Sequence, residues 1–147
     1  MLFEALATLC AGLFAGAAIY ITFVEHPARL ECGTLLAATE FGPSYRRATL
    51  MQASLAAIGL AAALVAWVQG RGLPVLIGGL LLGLVIPFTL VVILPTNKRL
   101  LDTGLDRSSA EAAALLARWG QLHAVRSVVS VLAFGVLLWH LASQARG

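Results

Sequence analysis

Four long apolar runs govern what this chain can become. Residues 5–24, 48–68 and 73–94 contain no charged side chain, and residues 124–142 contain one fixed charge, Arg126. At about 1.5 Å per helical residue, about twenty residues cross a hydrocarbon core about 30 Å thick. Hydrocarbon offers no partner for backbone amides, so each run must close its hydrogen bonds internally, as a helix. The predicted fold is therefore all-α, an integral membrane four-helix bundle with spans at about 5–24, 48–68, 73–94 and 122–142. With 60% hydrophobic and only 12% charged residues, the chain leaves no room for a separate soluble domain; soluble domains carry about a quarter charged residues. Residues 1–147 are read as one transmembrane domain. The first run opens Met1-Leu2-Phe3-Glu4 without a basic segment, so it reads as a retained helix rather than a signal peptide.

The segments between the runs predict short interfacial helices in loops 1 and 3. After Val24-Glu25-His26-Pro27, residues Arg29 to Phe41 can lie amphipathically on the membrane surface. Gly42-Pro43 is expected to break that helix, with the second span entering near Ser44. Gln69-Gly70-Arg71-Gly72 reads as a tight turn between antiparallel neighbours. Pro87 lies inside the third run and predicts a kink. Ser108 with Glu111 reads as a capping box, opening a helix that continues through Arg118 into the last span. Small residues recur four apart, at Gly12 and Gly16, at Ala53, Ala57 and Ala61, and at Gly79 and Gly83. They predict close helix contacts, within one bundle or in a homo-oligomer.

Charge placement bears on orientation and on partners. Loops 1 and 3 share one side of the membrane and hold Arg29, Arg46, Arg47, Lys98, Arg99, Arg107 and Arg118, against Arg71 and Arg146 on the other. The positive-inside rule then puts loops 1 and 3 in the cytoplasm and both termini outside. The cations are dispersed and lack interleaved aromatics, which argues against nucleic acid as a partner and leaves the lipid bilayer. Cys10 and Cys32 are separated by most of a span and are read as free thiols.

One stripe carries the chemistry. Trp119, His123 and Arg126 are spaced four and then three apart, on one helix face. An aromatic plate, a titratable imidazole and a fixed cation inside an apolar helix read as a site, since intramembrane charge is costly without a partner. Tyr45, Thr49 and Gln52 repeat the spacing at the start of the second span, and the exits of spans one and three also match. A duplicated helix pair and chance similarity both account for this. Connectivity brings Glu25, His26, Tyr45, Arg47, Gln52, Asn97, Trp119, His123 and Arg126 to one depth, with His140 at the opposite end. His123 is then a general base, Arg126 an anion stabiliser and Asn97 an amide that orients a substrate oxygen. Trp119, Tyr45, Gln52 and His26 would contact the substrate. His26, His123 and Glu25 form a thinner alternative, a three-ligand metal site for copper or iron. Bis-histidine haem ligation by His26 and His123 is another.

At these residues the chain resembles the anthrone oxygenase-like family of small membrane proteins. The matching pieces are Gly16 to Pro27, Pro95-Thr96-Asn97-Lys98-Arg99-Leu100, and Trp119 with His123 and Arg126. The resemblance implies four transmembrane helices and, by analogy with fungal members, oxidation of a polyketide anthrone to an anthraquinone by molecular oxygen. It carries over to Asn97, Trp119, His123 and Arg126. The implied activity is an oxidoreductase acting on a hydrophobic aromatic, with no cofactor required where the substrate supplies the electrons. The competing expectation is a non-enzymatic module that binds a lipid, a quinone, haem or a partner helix.

Overall fold

Each apolar run does close on its own backbone. The computed structural model describes residues 1–144, and among them every regular element is helical. Helix α1 (Leu2–Tyr20) passes through a π turn (Ile21–Glu25) into α2 (His26–Glu31). Helix α3 (Thr34–Val68) returns across the bundle. Helix α4 (Leu73–Phe88) passes through a second π turn (Thr89–Ile93) into α5 (Leu94–Leu100). Helix α6 (Ala110–Gln144) closes the fold. Four stretches, Leu2–Glu31, Thr34–Val68, Leu73–Leu100 and Ala110–Gln144, are long and apolar enough to cross a membrane, giving a multi-pass membrane protein. Arg146, counted in the charge bias, lies outside the described residues.

The helices form a square. Helix α1 packs on α3 and α6, α4 packs on the same two, and the diagonals barely touch. Glycine permits this closeness. A Cβ added at Gly79 would stand 2.3 Å from the Cβ of Ala63, and one at Gly78 would stand 2.5 Å from Leu137. Gly16, by contrast, has open space beside it. The glycine stripes therefore serve contacts within the chain, except at Gly16, whereas Ala53, Ala57 and Ala61 lie exposed along α3.

The repeat suspected in the sequence is present in the architecture. The register that lays one π turn on the other also lays Pro27 on Pro95. It pairs buried Ala7, Cys10, Ala11, Phe14 and Ala15 with buried Val75, Gly78, Gly79, Leu82 and Gly83. Laying Tyr45, Thr49 and Gln52 on Trp119, His123 and Arg126 pairs buried Ala38, Ala56, Gly59, Ala63 and Ala66 with buried Ala112, Ser130, Ala133, Leu137 and His140. Two like helical hairpins thus enter from the same face, as parallel repeats do. In each, a wide π turn closes with an i to i−5 bond, from His26 N–H to the Ile21 carbonyl and from Leu94 N–H to the Thr89 carbonyl. The wider turn relieves the clash that the following proline ring would make with the carbonyl four residues back.

Two local expectations are overturned. No break occurs at Gly42-Pro43: α3 runs through Pro43 and begins at Thr34 rather than near Ser44, so Arg29 to Phe41 is not one surface helix. The carbonyl orphaned by Pro43 belongs to Thr39, on the exposed side, where solvent can satisfy it. Ala37, Ala38 and Phe41 meanwhile bury against the α6 end of the bundle. The capping box is also displaced. Ser109 Oγ accepts the Ala112 N–H at 3.1 Å, while Ser108 donates to Asp106 and Glu111 binds Arg99. Helix α6 continues unbroken through Arg118 into the last span, and Gly70 and Gly72, at φ 82° and 93°, make the tight turn as expected.

Candidate active site

The stripe on α6 faces inward at the end of the bundle where loops 1 and 3 lie. Trp119 and His123 are buried, and Arg126 is partly so. The imidazole of His123, 2% exposed, stacks on Trp119 with ring centres 4.8 Å apart and an interplanar angle of 27°.

His123 is held by a chain of hydroxyls. Its Nδ1 lies 3.1 Å from Thr22 Oγ1, which lies 2.7 Å from Ser127 Oγ, which donates to the Ala18 carbonyl at 3.0 Å. A carbonyl only accepts. With the Ser127 hydrogen on a carbonyl, that of Ala18 or that of His123 at 3.3 Å, the Thr22 hydrogen points to Ser127. Nδ1 of His123 carries the proton that Thr22 accepts. In this arrangement the lone pair falls on Nε2, which makes no hydrogen bond among the described residues. Neither Thr22 nor Ser127 was singled out by the sequence. Ser127 lies one helical turn from His123, the spacing that could have found it; a lone threonine in an apolar run gives no such signal.

Arg126 has a different setting. Its Nη2 donates to Gln52 Oε1 at 2.8 Å, and its guanidinium lies 5.5 Å from the centre of the Phe14 ring. Among the described residues it meets no carboxylate. Glu25, a candidate partner by connectivity, is bound instead by Arg29 and by Ser44 Oγ at 2.6 Å. Because arginine only donates, it fixes the Gln52 amide with Oε1 towards Arg126 and Nε2 turned away. Gln52 Nε2 and Arg126 Nε are both buried without hydrogen-bond partners. Two N–H groups left unmet inside an apolar bundle are a standing demand for an acceptor.

Two cavities meet at this pair. A small chamber of about 20 Å³ lies against Arg29, Tyr45, Trp119, His123 and Arg126, about the room one water needs. A groove of about 110 Å³ lies on the other side, lined by Phe14, Ala53, Ala56, Val85, Ile86 and Thr89. Tyr45, Thr49, Gln52 and Arg126 border both.

Several expected substrate contacts are occupied by the protein itself. Trp119 meets His123, the edge of Phe41 at 5.3 Å, the ring of His26 at 5.0 Å and the Arg29 guanidinium at 5.7 Å, so it is not a free stacking plate. Tyr45 stacks on Phe41 at 5.6 Å and borders both cavities. His26 lies outside both, pressed so closely on α6 that a Cβ at Gly120 would stand 2.6 Å from its Nε2, and it lines a third, more open cavity of about 330 Å³ with Thr22, Trp119 and His123. Asn97 is 1% exposed with both amide atoms unpartnered, and it lines neither cavity. Arg29, passed over as a loop cation, is buried and joins Glu25, Ser44 and Glu40 into a network tying α2 to α3. The three-ligand set of His26, His123 and Glu25 is not brought together: no three His, Cys, Asp or Glu side chains among the described residues gather as metal ligands would. Cys10 and Cys32 are both free.

Comparison with known proteins agrees with the resemblance. The family described as Anthrone oxygenase matches residues 41–136, a span that holds Tyr45, Gln52, Asn97, Trp119, His123 and Arg126. Anthrone oxygenase tpcL of Aspergillus fumigatus is 39% identical over 66 residues, which are 43% of this chain and 41% of that protein. The match thus spans less than half the length of that relative. No solved structure matches the chain. The chain belongs to the anthrone oxygenase family.

Proposed function

We propose that this protein is a membrane-embedded oxidoreductase that oxidises a hydrophobic aromatic of anthrone or phenol type with molecular oxygen. One observation carries the reading: a guanidinium within an apolar span has no carboxylate partner and stands beside a histidine whose free nitrogen is Nε2. Such a cation is stabilised by an anion that forms during reaction.

For an anthrone the chemistry balances without a further reductant. His123, across the one-water chamber it shares with Arg126, takes the proton of the enol hydroxyl of the tautomerised ring, and the oxygen that keeps the charge is held by Arg126. The carbanionic carbon transfers electrons to dioxygen and forms a C–O bond, and the resulting peroxide takes the proton back from His123 to become a hydroperoxide. Cleavage of the O–O bond with loss of the second methylene hydrogen leaves a ketone and releases water. One oxygen atom ends in the product and one in water, and the substrate supplies all the electrons. The hydroxyl chain through Thr22 keeps His123 in the tautomer this needs.

The charge bias extends the reading to orientation, with the site end in the cytoplasm. Cys32 is exposed in loop 1 and Cys10 is buried, so an impermeant maleimide should label intact cells poorly and inverted vesicles well.

The central test is oxygen uptake by the purified protein in lipid nanodiscs, supplied with anthrone. The protein should consume one dioxygen per anthraquinone formed. The His123→Ala variant, folded by circular dichroism, should be slower by about 10²–10⁴-fold, the usual contribution of a positioned base. Full turnover in that variant would remove the mechanism. Tight ligand binding without any turnover would make the protein a binding module instead.

A further inference from the structure

We infer that the aromatic substrate enters sideways from the bilayer between α3 and α4 and is held in the groove beside Ala53, its acceptor oxygen bound by Gln52 Nε2–H and Arg126 Nε–H. This rests on the oxidase reading for the identity of the ligand, but its geometry is separate.

Size decides between the two cavities that meet at Gln52 and Arg126; a wider opening of about 330 Å³ beside Thr22, His26, Trp119 and His123 reaches neither of those residues. The chamber next to Trp119 and His123, about 20 Å³, holds a molecule no larger than water or dioxygen. The groove, about 110 Å³, takes the edge of a fused ring system and opens towards the acyl chains, where the remaining rings stay solvated. Two structural features make the space. Ala53 and Ala56, three residues apart on one face of α3, present only methyl groups. Opposite them, the second π turn carries Thr89 into the wall, its hydroxyl turned back to the Val85 carbonyl at 2.6 Å rather than into the groove.

Chemistry decides what lies at the inner end. Gln52 is 2% exposed, and its unpartnered atom is a donor, as is that of Arg126. Two donors and no acceptor select a carbonyl, phenolate or enolate oxygen and disfavour an amine or ammonium, which would bring further donors. A second apolar cavity, between α4 and α6 beside Pro87, also reaches Arg126, but Gln52 does not line it. It offers half the recognition. The ligand is thus a planar, apolar aromatic with an acidic or carbonyl oxygen on one edge.

Alizarin, a dihydroxyanthraquinone whose visible spectrum moves on ionisation, tests this by titration into the full-length protein in nanodiscs. Ala53→Phe should fill the groove and weaken alizarin binding at least about tenfold, and Gln52→Leu should weaken it by a similar factor. Ala57→Phe, one turn on and outside the groove, should bind as the unmodified protein does. Unchanged affinity in both Ala53→Phe and Gln52→Leu would overturn the proposal. So would loss of binding in Val125→Phe, which fills the α4–α6 cavity, with binding kept in Ala53→Phe. Lost alizarin binding in Ala53→Phe, in a protein that consumes no oxygen, would uphold the groove while the oxidase reading fails. Robust oxygen uptake with an unchanged KM in Ala53→Phe would do the reverse.

Discussion

The two ends of the bundle each bury a histidine of α6, and they treat it in opposite ways. At the end near the termini, His140 Nε2 meets Glu4 Oε1 at 3.2 Å, and Glu4 also receives the chain amino group and Arg71. Charges there answer charges, and no buried polar side-chain atom at that end lacks a partner among the described residues. At the other end, His26 Nδ1, Gln52 Nε2, the Asn97 amide and Arg126 Nε are all buried and unmet. Burial of polar groups in a membrane protein therefore has two meanings. A satisfied cluster fastens helices, and an unsatisfied one waits for a ligand.

Mutations can break this contrast. The largest effect should be on chemistry and at one end only: His123→Ala loses turnover by the factor given above, whereas His140→Ala keeps the turnover of each folded molecule. Thr22→Val should come next. With the acceptor for Nδ1–H removed, His123 is free to change tautomer, turnover should fall about tenfold, and the pH–rate profile should move. The ¹⁵N shifts of His123, read without substrate, should show a mixture of tautomers where the parent shows one. At the satisfied end, Glu4→Ala should cost about 1–3 kcal/mol of unfolding free energy by stripping His140 and Arg71 of their acceptor, with turnover per folded molecule intact. If Glu4→Ala instead lowers turnover and leaves stability alone, the contrast between the ends is wrong.

The smallest effect lies outside both ends, in loop 3. The Gly104 N–H, with the Arg99 guanidinium, holds the Asp102 carboxyl below the ordinary carboxyl range. A lowered folded value makes the contribution full above the unfolded value of about 4 and loses it as pH falls through the folded value. Thermal melts should show a slight loss of stability on acidification that Asp102→Asn lacks.

The sequence made the spans legible because each apolar run is as long as the hydrocarbon is thick. It misplaced the start of α3 because Gly42-Pro43 has the local form of a break, while the burial of Ala37, Ala38 and Phe41 that overrides it is a tertiary fact. The stripe of Trp119, His123 and Arg126 was readable from spacing, and so was its echo at Tyr45, Thr49 and Gln52. Their roles were less so. Trp119 has the chemistry of a stacking plate, but the fold already covers it with His26, Phe41, His123 and Arg29. The spacing marks Gln52 as a contact, but the direction of its amide depends on Arg126, 74 residues away. Thr22 carries no signal in the sequence because hydroxyls in apolar helices ordinarily turn back to their own backbone, as Thr8 and Ser54 do here.

The hydroxyl chain behind His123 ends on the Ala18 carbonyl, which makes it a cul-de-sac. A proton accepted at Nε2 cannot be handed through Thr22 and Ser127 to solvent, because the last station has no hydrogen to pass onward. It must leave by the nitrogen it arrived on. In the proposed reaction that proton returns to the peroxide and leaves within the water released, so each turnover would close its own proton account inside the bilayer and neither acidify nor alkalinise either face of the membrane.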